Sequence, residues 1–433
     1  MATEELQPIQ GMADIAPPEI KIWQRIESCV RELFHCYGFG EIRTPILEKS
    51  FVFLRSLGET TDVVQKEMYL FDDRGGRQIV VRPEGTASVM RFVALKGQEA
   101  QDARLYYIGP MFRCERPQAG RKRQFHQVGA EAIGPALAAA DAEMIAMQVH
   151  LLRNLGLRNF NIHVNTRGLP EDRAVVTAGL RAALEPHIPN LCDDCRRRID
   201  TNILRVLDCK NETCKKIAAT LPPVTTFMAE TSRKYLDDVL RLLKLLEIDA
   251  VVNPALIRGL DYYIHTVWEI THPALGSQDA LAGGGRYRIT LAEKTVEGVG
   301  FAMGFERLIT AVQNDNPAFA AGEAQPMIWL VSFGQPAFED NLKLLQTLRF
   351  RGVRCGMDLA GRSMKAQMRA ADRSGATAVV IRGDNEMASG TFQFKDMKTG
   401  VQIALTLPEL LENLNPQVRI APLPSPVDGA KFQ

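Results

Sequence analysis

A strongly basic segment lies between two stretches of β-strand character. Residues 113–123 contain five cations, and the flanking runs LYYIGPM and QFHQVGAEAIG are rich in aromatic and β-branched residues. This pattern predicts a strand, a charged loop and a second strand. At the end of its strand, Arg113 could grip one phosphate bidentately. The loop cations could reach a larger polyanion such as nucleic acid. A solvated hairpin is the alternative for such a loop taken alone.

Composition limits the class of protein. The chain has 433 residues, 46% of them hydrophobic, and a net charge of +1. This length predicts two or three domains, and any nucleic-acid partner must be met by local basic patches. The N-terminus lacks the apolar region of a signal peptide, and we expect no membrane segment and a cytoplasmic protein.

The predicted fold class is α+β, with three parts. Residues 1–325 are predicted to form the main body, which carries a helical insertion at about 170–250. Residues 326–415 alternate strands and helices and predict a small α/β domain. Residues 416–433 are rich in proline and predict a flexible tail.

Local patterns within the main body predict particular elements. Glu19 to Tyr37 has the spacing of an amphipathic helix, and an extended stretch with Pro45 follows it. Met68 to Arg82 predicts a hairpin. The run LAGGGRYR, from Leu281, predicts a glycine-rich turn. A linker is predicted at 314–325. The helix and the Pro45 stretch predict a subunit contact, although packing within the chain is the commoner outcome.

Two short motifs suggest binding chemistry. In RPEGTAS, Glu84 and Thr86 lie two residues apart, on one face of an extended chain, and together could hold an ammonium group. A simple helix start at Thr86 is the alternative. The run GVGFAMGFERL, from Gly298, predicts a strand leading into a helix, and its glycines have a spacing close to that of a dinucleotide-binding motif. It lacks the surrounding strand–helix–strand unit and the later acidic residue, so that fold is rejected.

Taken in order, these segments resemble the class II aminoacyl-tRNA synthetases, and among them the histidyl-tRNA synthetases of bacterial type. The stretch around Pro45 resembles motif 1, FRCERP through Glu131 resembles motif 2, and GFAMGFERL resembles motif 3. RGLDYY, beginning at Arg258, and GGGRY resemble segments peculiar to the histidine enzymes. The resemblance covers Ile9 to about Leu410. It implies an antiparallel sheet flanked by helices, with a C-terminal anticodon-binding domain.

The resemblance also implies an activity, ATP-dependent ligation of L-histidine to tRNA(His) through a histidyl-adenylate, with Mg²⁺ on the ATP. Catalysis would fall to Arg258 and Arg113. The other implied roles divide by ligand: histidine would be bound by Glu84, Thr86, Gln127, Glu131, Arg258, Tyr262 and Tyr263; ATP by Arg113, Glu115, Arg121, Phe125 and Arg307; and the tRNA acceptor end by Arg116 and Gln118. A homodimer is expected. Departures from the family pattern occur at Gln10 and at Arg288-Ile289.

Two other functions are alternatives to the ligase activity. A regulatory subunit of the ATP phosphoribosyltransferase of histidine biosynthesis resembles the same catalytic body, but such subunits typically lack the anticodon-binding domain and part of the ATP-binding set. A pure RNA-binding protein leaves Glu84, Glu131 and RGLDYY without a purpose.

Four cysteines are clustered in the predicted insertion. Cys192 and Cys195 form one close pair, and Cys209 and Cys214 form another. Two thiolate pairs at this separation suit tetrahedral zinc, and four incidental thiols are the equally weighted alternative. A closed four-thiolate site would support the folding of the insertion rather than the chemistry. The eight cysteines of the chain do not predict a disulfide scaffold.

Overall fold

A computed structural model describes residues 6–58, 61, 63–116, 121–258, 260–322 and 326–414. These residues fall into two compact units, one ending at Gly322 and the other beginning after it. Among the described residues, none of the helices is long and apolar enough to cross a membrane.

The first unit is a mixture of strands and helices. Its strands are β1 (Gly40–Glu41), β2 (Leu47–Lys49), β3 (Tyr69–Asp72), β4 (Gln78–Val81), β5 (Arg104–Phe112), β6 (Gln124–Ile133), β7 (Asn161–Thr166), β8 (Val251–Val252), β9 (Tyr263–Thr271), β10 (Ala280–Leu291) and β11 (Lys294–Gly304). Its helices are α1 (Ile20–Cys36), α2 (Ser50–Leu57), α3 (Thr86–Lys96), α4 (Ala138–Asn154), α5 (Asp172–Leu184), α6 (Asp193–Thr201), α7 (Glu212–Thr220), α8 (Glu230–Leu245), α9 (Phe305–Asp315) and α10 (Pro317–Ala321).

One large sheet organises this unit. Its eight strands follow the order β1-β5-β6-β11-β10-β9-β7-β8. Every neighbouring pair is antiparallel except β1 with β5 and β7 with β8. A second sheet has the order β2-β4-β3 and contains the predicted hairpin between Met68 and Arg82. The two strands predicted on either side of the basic loop are β5 and β6, which pair antiparallel. Residues 117–120 of that loop lie outside the described part.

Helix α1 shows why its sequence folds as predicted. Its apolar residues recur at helical spacing, and Ile22, Trp23, Ile26, Val30 and Phe34 are all buried in the core of the same chain. Each such side chain stabilises the fold by about 1.5–3 kcal/mol. The apolar face of α1 is therefore covered without a partner subunit.

The helical insertion has a small hydrophobic core of its own. Nearly all the buried residues of this core lie between Val176 and Met228. They lie on or next to α5, α6, α7 and two short 3₁₀ helices, Ile203–Val206 and Val224–Phe227. Helix α8 packs instead into the main core, through Leu236, Val239 and Leu243.

Two local predictions were wrong, and the prediction for the Pro45 stretch was confirmed. The glycine run 283–285 lies inside β10 and is not a turn, because its missing side chains make room for neighbours on β9 and the preceding loop. The extended stretch around Pro45 is interrupted, since β1 ends at Glu41 and β2 begins at Leu47, and both are edge strands, as a proline in such a stretch favours. The predicted linker at 314–325 is partly helical, since α10 covers Pro317–Ala321; residues 323–325 lie outside the described part.

The second unit has a five-stranded sheet with helices. Its elements are β12 (Ile328–Ser332), α11 (Gly334–Phe350), β13 (Cys355–Met357), α12 (Met364–Arg373), β14 (Ala378–Arg382), α13 (Asp384–Ser389), β15 (Thr391–Asp396), β16 (Gln402–Thr406) and α14 (Leu407–Asn413). The strand order is β13-β12-β14-β15-β16, with parallel pairing among the first three strands and antiparallel pairing beyond them. The predicted tail, 416–433, lies outside the described residues.

Candidate active site

A cavity of about 1920 Å³ lies within the first unit. It is lined by residues of β6, β10, α9 and the loops that precede β6 and β9, and also by residues of the insertion. Among the lining residues are Arg113, Glu115, Arg121, Phe125, Gln127, Arg258 and Arg307, all of which the sequence had marked as ligand-binding. Residues far apart in the chain therefore converge on one space.

The arginines of the cavity are held by specific contacts. Arg113 donates from Nε to the carbonyl oxygen of Pro83 at 3.1 Å, and its guanidinium carbon lies 5.3 Å from the ring centre of Phe125. Arg121 donates from Nη1 to Glu115 Oε2 at 2.8 Å. Arg307 donates from Nη1 to the carbonyl oxygen of Ala280 at 2.5 Å.

The local electrostatics favour an anionic ligand. Burial lowers the pKa of Arg307, and the nearby cation of Arg121 lowers it further. A polyphosphate would relieve this repulsion between like charges while accepting hydrogen bonds from both side chains.

Arg258 lies beside a second acidic residue of the cavity. Its Nη1 donates to Glu269 Oε2 at 2.7 Å, and its Nε is buried with no hydrogen-bond partner among the described residues. A Cβ on Gly283 would lie 2.5 Å from the guanidinium carbon of Arg258. The glycine therefore allows this arginine to lie flat against β10, with one donor still available for a ligand.

A set of buried polar residues surrounds the start of α3. The two carboxylate oxygens of Glu84 accept from the backbone N–H groups of Thr86 and Ala87, at 2.8 and 2.7 Å. Thr86 Oγ1 donates to Glu131 Oε1 at 2.7 Å. Glu84 and Thr86 thus act together at a helix start, so the two interpretations of this motif are compatible.

Glu131 and Tyr263 lie over two neighbouring glycines of the large sheet. Gly300 on β11 and Gly285 on β10 are register partners. A Cβ on Gly300 would collide with the carboxylate of Glu131, and a Cβ on Gly285 would lie 2.7 Å from the ring of Tyr263. The two side chains therefore lie side by side over a pair of glycines.

Burial sets the protonation of these carboxyl groups. Glu131 is fully buried, and desolvation raises its pKa to about 8. Burial also raises the pKa of Glu84, although two backbone N–H donors partly offset the effect. Near neutral pH, Glu131 can therefore hold a proton, which suits a partner that both donates and accepts hydrogen bonds.

The structure does not bring every predicted residue into the cavity. Of the seven residues predicted to bind histidine, Gln127 and Arg258 line it, whereas the other five are buried and are not among the lining residues: Glu84, Thr86, Glu131, Tyr262 and Tyr263. Of the two residues predicted to meet the tRNA acceptor end, Arg116 is exposed. Gln118 lies outside the described residues.

Two further residues belong to the site and were missed by the sequence reasoning. Glu269 pairs with Arg258, and Gln278 Oε1 accepts from Arg121 Nη2 at 3.5 Å. The available signal for Glu269 was that it is the only acidic residue in the β9 sequence YIHTVWEIT. His126 packs edge-on against Trp23 at 4.9 Å, and its backbone N–H donates to Glu306.

The four clustered cysteines come together in space. Their sulfur atoms all lie within 4.8 Å of one another, and none of the four is in a disulfide. Cys195, Cys209 and Cys214 are buried, whereas Cys192 is half-buried. Cys192 and Cys209 also line the cavity, so the cluster lies at the edge of the candidate active site.

Comparisons with known proteins match this arrangement. A family model described as Histidyl-tRNA synthetase matches residues 11–308, and one described as Anticodon binding domain matches residues 327–416. The chain belongs to the histidyl-tRNA synthetase family. Membership makes it a class II aminoacyl-tRNA synthetase, and the α+β fold class predicted from the sequence is confirmed.

Individual members of the histidyl-tRNA synthetase family are similar to this chain over nearly their whole length. The histidine–tRNA ligase of Halothermothrix orenii is 45% identical over 411 residues, covering 94% of this chain and 98% of that protein. That of Pelotomaculum thermopropionicum is 42% identical over 415 residues, covering 94% and 97%. The crystal structure of apo Staphylococcus aureus histidyl-tRNA synthetase matches with a TM-score of 0.79 and 34% identity, covering 95% of this chain and all of that one.

Proposed function

We propose that this chain activates L-histidine with ATP in the cavity and then transfers the histidyl group to tRNA(His). The observation that carries the proposal is the convergence of Arg113, Arg121, Arg258 and Arg307 on one cavity, in a chain of this family. Attack by the histidine carboxylate on the α-phosphate gives histidyl-adenylate and diphosphate. Preorganised cations stabilise the charge that develops at phosphorus.

For ATP, we assign the α-phosphate to Arg113 and the distal phosphates to Arg121 and Arg307. Glu115 and Phe125 are assigned to the adenine ring. Arg113 and Phe125 are neighbours in the cavity, with the guanidinium carbon 5.3 Å from the ring centre, so the two assignments concern one region of it. We assign Arg258 to bridge the α-phosphate and the histidine carboxylate. Its buried Nε, which has no hydrogen-bond partner among the described residues, supports this assignment.

For histidine, we assign the α-ammonium group to Glu84, Thr86 and Gln127. Glu131 and Tyr263 take the two imidazole nitrogens, and Tyr262 lies against Tyr263 with ring centres 4.7 Å apart. A buried polar pocket matched to imidazole rejects side chains that lack the ring, because its polar groups would then be left unpaired.

The family's use of ATP with Mg²⁺ fits this site. Magnesium binds mainly through substrate phosphates, retained waters and one or two carboxylates. Two of the carboxylates that line the cavity, Glu115 and Glu269, are paired with Arg121 and Arg258. We assign the ion chiefly to phosphate oxygens, as is usual for magnesium bound with a nucleotide. When bound, Mg²⁺ would neutralise part of the negative charge of the phosphates.

The tRNA assignments rest on two features. We propose that Arg116 and Gln118 meet the acceptor end, since Arg116 is an exposed cation of the basic loop. The second unit, which matches the anticodon-binding model, is proposed to bind the anticodon of tRNA(His). A cytoplasmic location is proposed with this activity, because ATP and tRNA are found there.

ATP–pyrophosphate exchange tests this function directly. The full-length chain should exchange label rapidly with histidine present and only at background rate with other amino acids. Absence of histidine-dependent exchange would support the alternative, a regulatory subunit that only senses histidine. The anticodon-binding unit and the retained arginines count against that alternative.

We also propose a homodimer, which would form through the Pro45 stretch and the surface beside it and not through α1. Helix α1 is covered within its own chain, but Ile46, Leu47 and Phe51 are 43%, 52% and 42% exposed, and Leu70 and Phe71 are each 45% exposed. All five lie on or beside the small sheet β2-β4-β3 and α2, and exposed apolar surface of this kind marks association sites.

Sedimentation should show a dimer at micromolar concentration. Leu47→Glu should shift it toward monomer, because a charge would be buried in the contact. Phe350→Glu is a matched control, since Phe350 is 75% exposed in the other unit. A wild-type chain that sediments as a monomer would rule the dimer out.

The four clustered cysteines are proposed to hold a structural zinc ion. Four thiolate ligands fill a tetrahedral site and leave no open position for a substrate or water. Zinc here therefore contributes folding energy and takes no part in the reaction itself.

A further inference from the structure

The cysteine cluster has the dimensions of a tetrathiolate metal site. Cys192 Sγ and Cys209 Sγ lie 3.9 Å apart, and all four sulfurs lie within 4.8 Å of one another. Tetrahedral zinc with bonds of about 2.3 Å places its sulfurs about 3.8 Å apart. A disulfide would require about 2.05 Å. The spacing therefore matches a shared ion better than paired disulfides.

Backbone groups already point at the sulfurs. The N–H of Cys192 donates to Cys214 Sγ at 3.3 Å, and the N–H of Asn211 donates to Cys209 Sγ at 3.5 Å. Asn211 also caps α7, accepting from the N–H groups of Thr213 and Cys214. Such donors fix the orientation of thiolate ligands around a metal. Two of the four sulfur atoms therefore already accept hydrogen bonds from the backbone of the insertion.

The insertion needs a constraint of this kind. Its own core is built from residues between Val176 and Met228. That stretch is shorter than the roughly 70–80 residues below which a hydrophobic core rarely suffices, and where metals or disulfides commonly add stability. Three of the four cysteines are themselves members of this core. Metal binding would therefore stabilise the insertion as a whole.

The same core contains one residue from outside the insertion. Ile257 is 6% exposed and belongs to the insertion's hydrophobic cluster. It immediately precedes Arg258, whose guanidinium reaches Glu269 in the cavity. On the far side of Arg258, the carbonyl oxygen of Asp261 accepts from Arg173 Nη2 of α5 at 3.1 Å. The insertion therefore holds the Arg258 segment on both sides.

We propose that the four cysteines bind zinc and that the zinc-stabilised insertion positions Arg258 through Ile257. The metal acts at a distance, because its loss loosens the core in which Ile257 sits. The zinc still supports the folding of the insertion and not the chemistry directly, and that folding reaches Arg258 through Ile257. This inference rests on the role proposed above for Arg258, and Ile257 is a positioning residue within it.

The first experiment measures metal and thiols in wild-type protein purified without chelator. We expect about one zinc per chain by elemental analysis and eight free thiols after denaturation, in keeping with the absence of disulfides. Less than a tenth of an equivalent of zinc, or four thiols lost to disulfides, would overturn the metal site.

The second experiment removes the metal without touching the cavity arginines. Cys209→Ser with Cys214→Ser should lose zinc, become sensitive to protease between residues 172 and 228, and lower the kcat of histidine-dependent exchange by on the order of ten-fold or more. Cys36→Ser is the control, since Cys36 is an exposed cysteine outside the cluster. Wild-type exchange by the zinc-free variant would overturn the coupling.

The third experiment breaks the link while keeping the metal. Ile257→Ala should retain one zinc and lower kcat by roughly ten-fold, with a smaller change in the KM for ATP, because a misplaced group costs rate more than binding. Ile257→Val should recover most of the rate. Full activity in Ile257→Ala would show that the insertion does not position Arg258. Wild-type exchange itself separates failure of this inference from failure of the proposed function.

Discussion

Replacing Arg258 by alanine should slow histidyl-adenylate formation by on the order of a hundred-fold or more. Its Nη1 is fixed by Glu269, and its buried Nε has no partner among the described residues, so a donor is preorganised for charge that develops at the α-phosphate. Interactions made mainly in the transition state affect rate rather than ground-state binding. ATP affinity should therefore change far less. Single-turnover measurement of adenylate formation over a range of ATP concentrations separates the two.

The lysine variant and the transfer step sharpen this test. Arg258→Lys should recover little, because a point charge on a flexible stem cannot reproduce a planar fork between carboxylate and phosphate. Transfer from preformed histidyl-adenylate to tRNA should be less affected, since phosphorus is no longer under attack. Arg77→Ala is the control, because Arg77 is 72% exposed and paired with Asp73. Near wild-type activation by Arg258→Ala would make Arg258 a structural residue.

Local sequence patterns predicted the elements that carry most of the site. Alternation and β-branched residues marked β5 and β6 on both sides of the basic loop, and their antiparallel pairing follows from the short connection. The run from Gly298 predicted a strand leading into a helix, which is β11 followed by α9. In both cases the signal lies within a few residues of the element it specifies.

The glycine run failed because its cause is not local. Glycine in sequence is typical of a turn, but here each missing Cβ leaves room for a side chain from elsewhere in the chain. Arg258 lies against Gly283, Trp268 against Gly284 and Tyr263 against Gly285. A strand of ordinary residues could not bring these groups so close to the sheet. The same glycines that suggested a turn therefore shape the site.

The sequence also could not show which surface covers the apolar face of a helix. The spacing in α1 predicted an apolar face, but the same pattern arises whether that face meets its own chain or another. The structure buries it intramolecularly and leaves Leu47 and Phe51 exposed instead. Likewise, the local sequence around Ile257 did not indicate that this residue packs into the insertion's core.

Glu131→Gln should lower histidine activation by at least a hundred-fold, with the main effect on histidine rather than on ATP. A site built around hydrogen bonds to a polar ring loses several orders of magnitude when one buried partner is mismatched. The amide keeps the shape of the side chain but cannot switch between accepting and donating at the same oxygen. Exchange measured at varied histidine and fixed ATP tests this. Unchanged histidine dependence would remove Glu131 from the imidazole site.

The same variant tests the electrostatics independently of activity. Burial raises the pKa of Glu131 to about 8, whereas an unfolded glutamate titrates near about 4.3. Between these values the folded chain binds more protons than the unfolded chain, so this group's contribution to the free energy of unfolding is full at acid pH and is lost as pH rises through about 8. Wild-type protein should therefore lose stability relative to Glu131→Gln between pH 5 and pH 8, measured by urea unfolding at each pH. A constant difference across that range would mean that Glu131 is ionised throughout, and its partner would then have to be a pure hydrogen-bond donor.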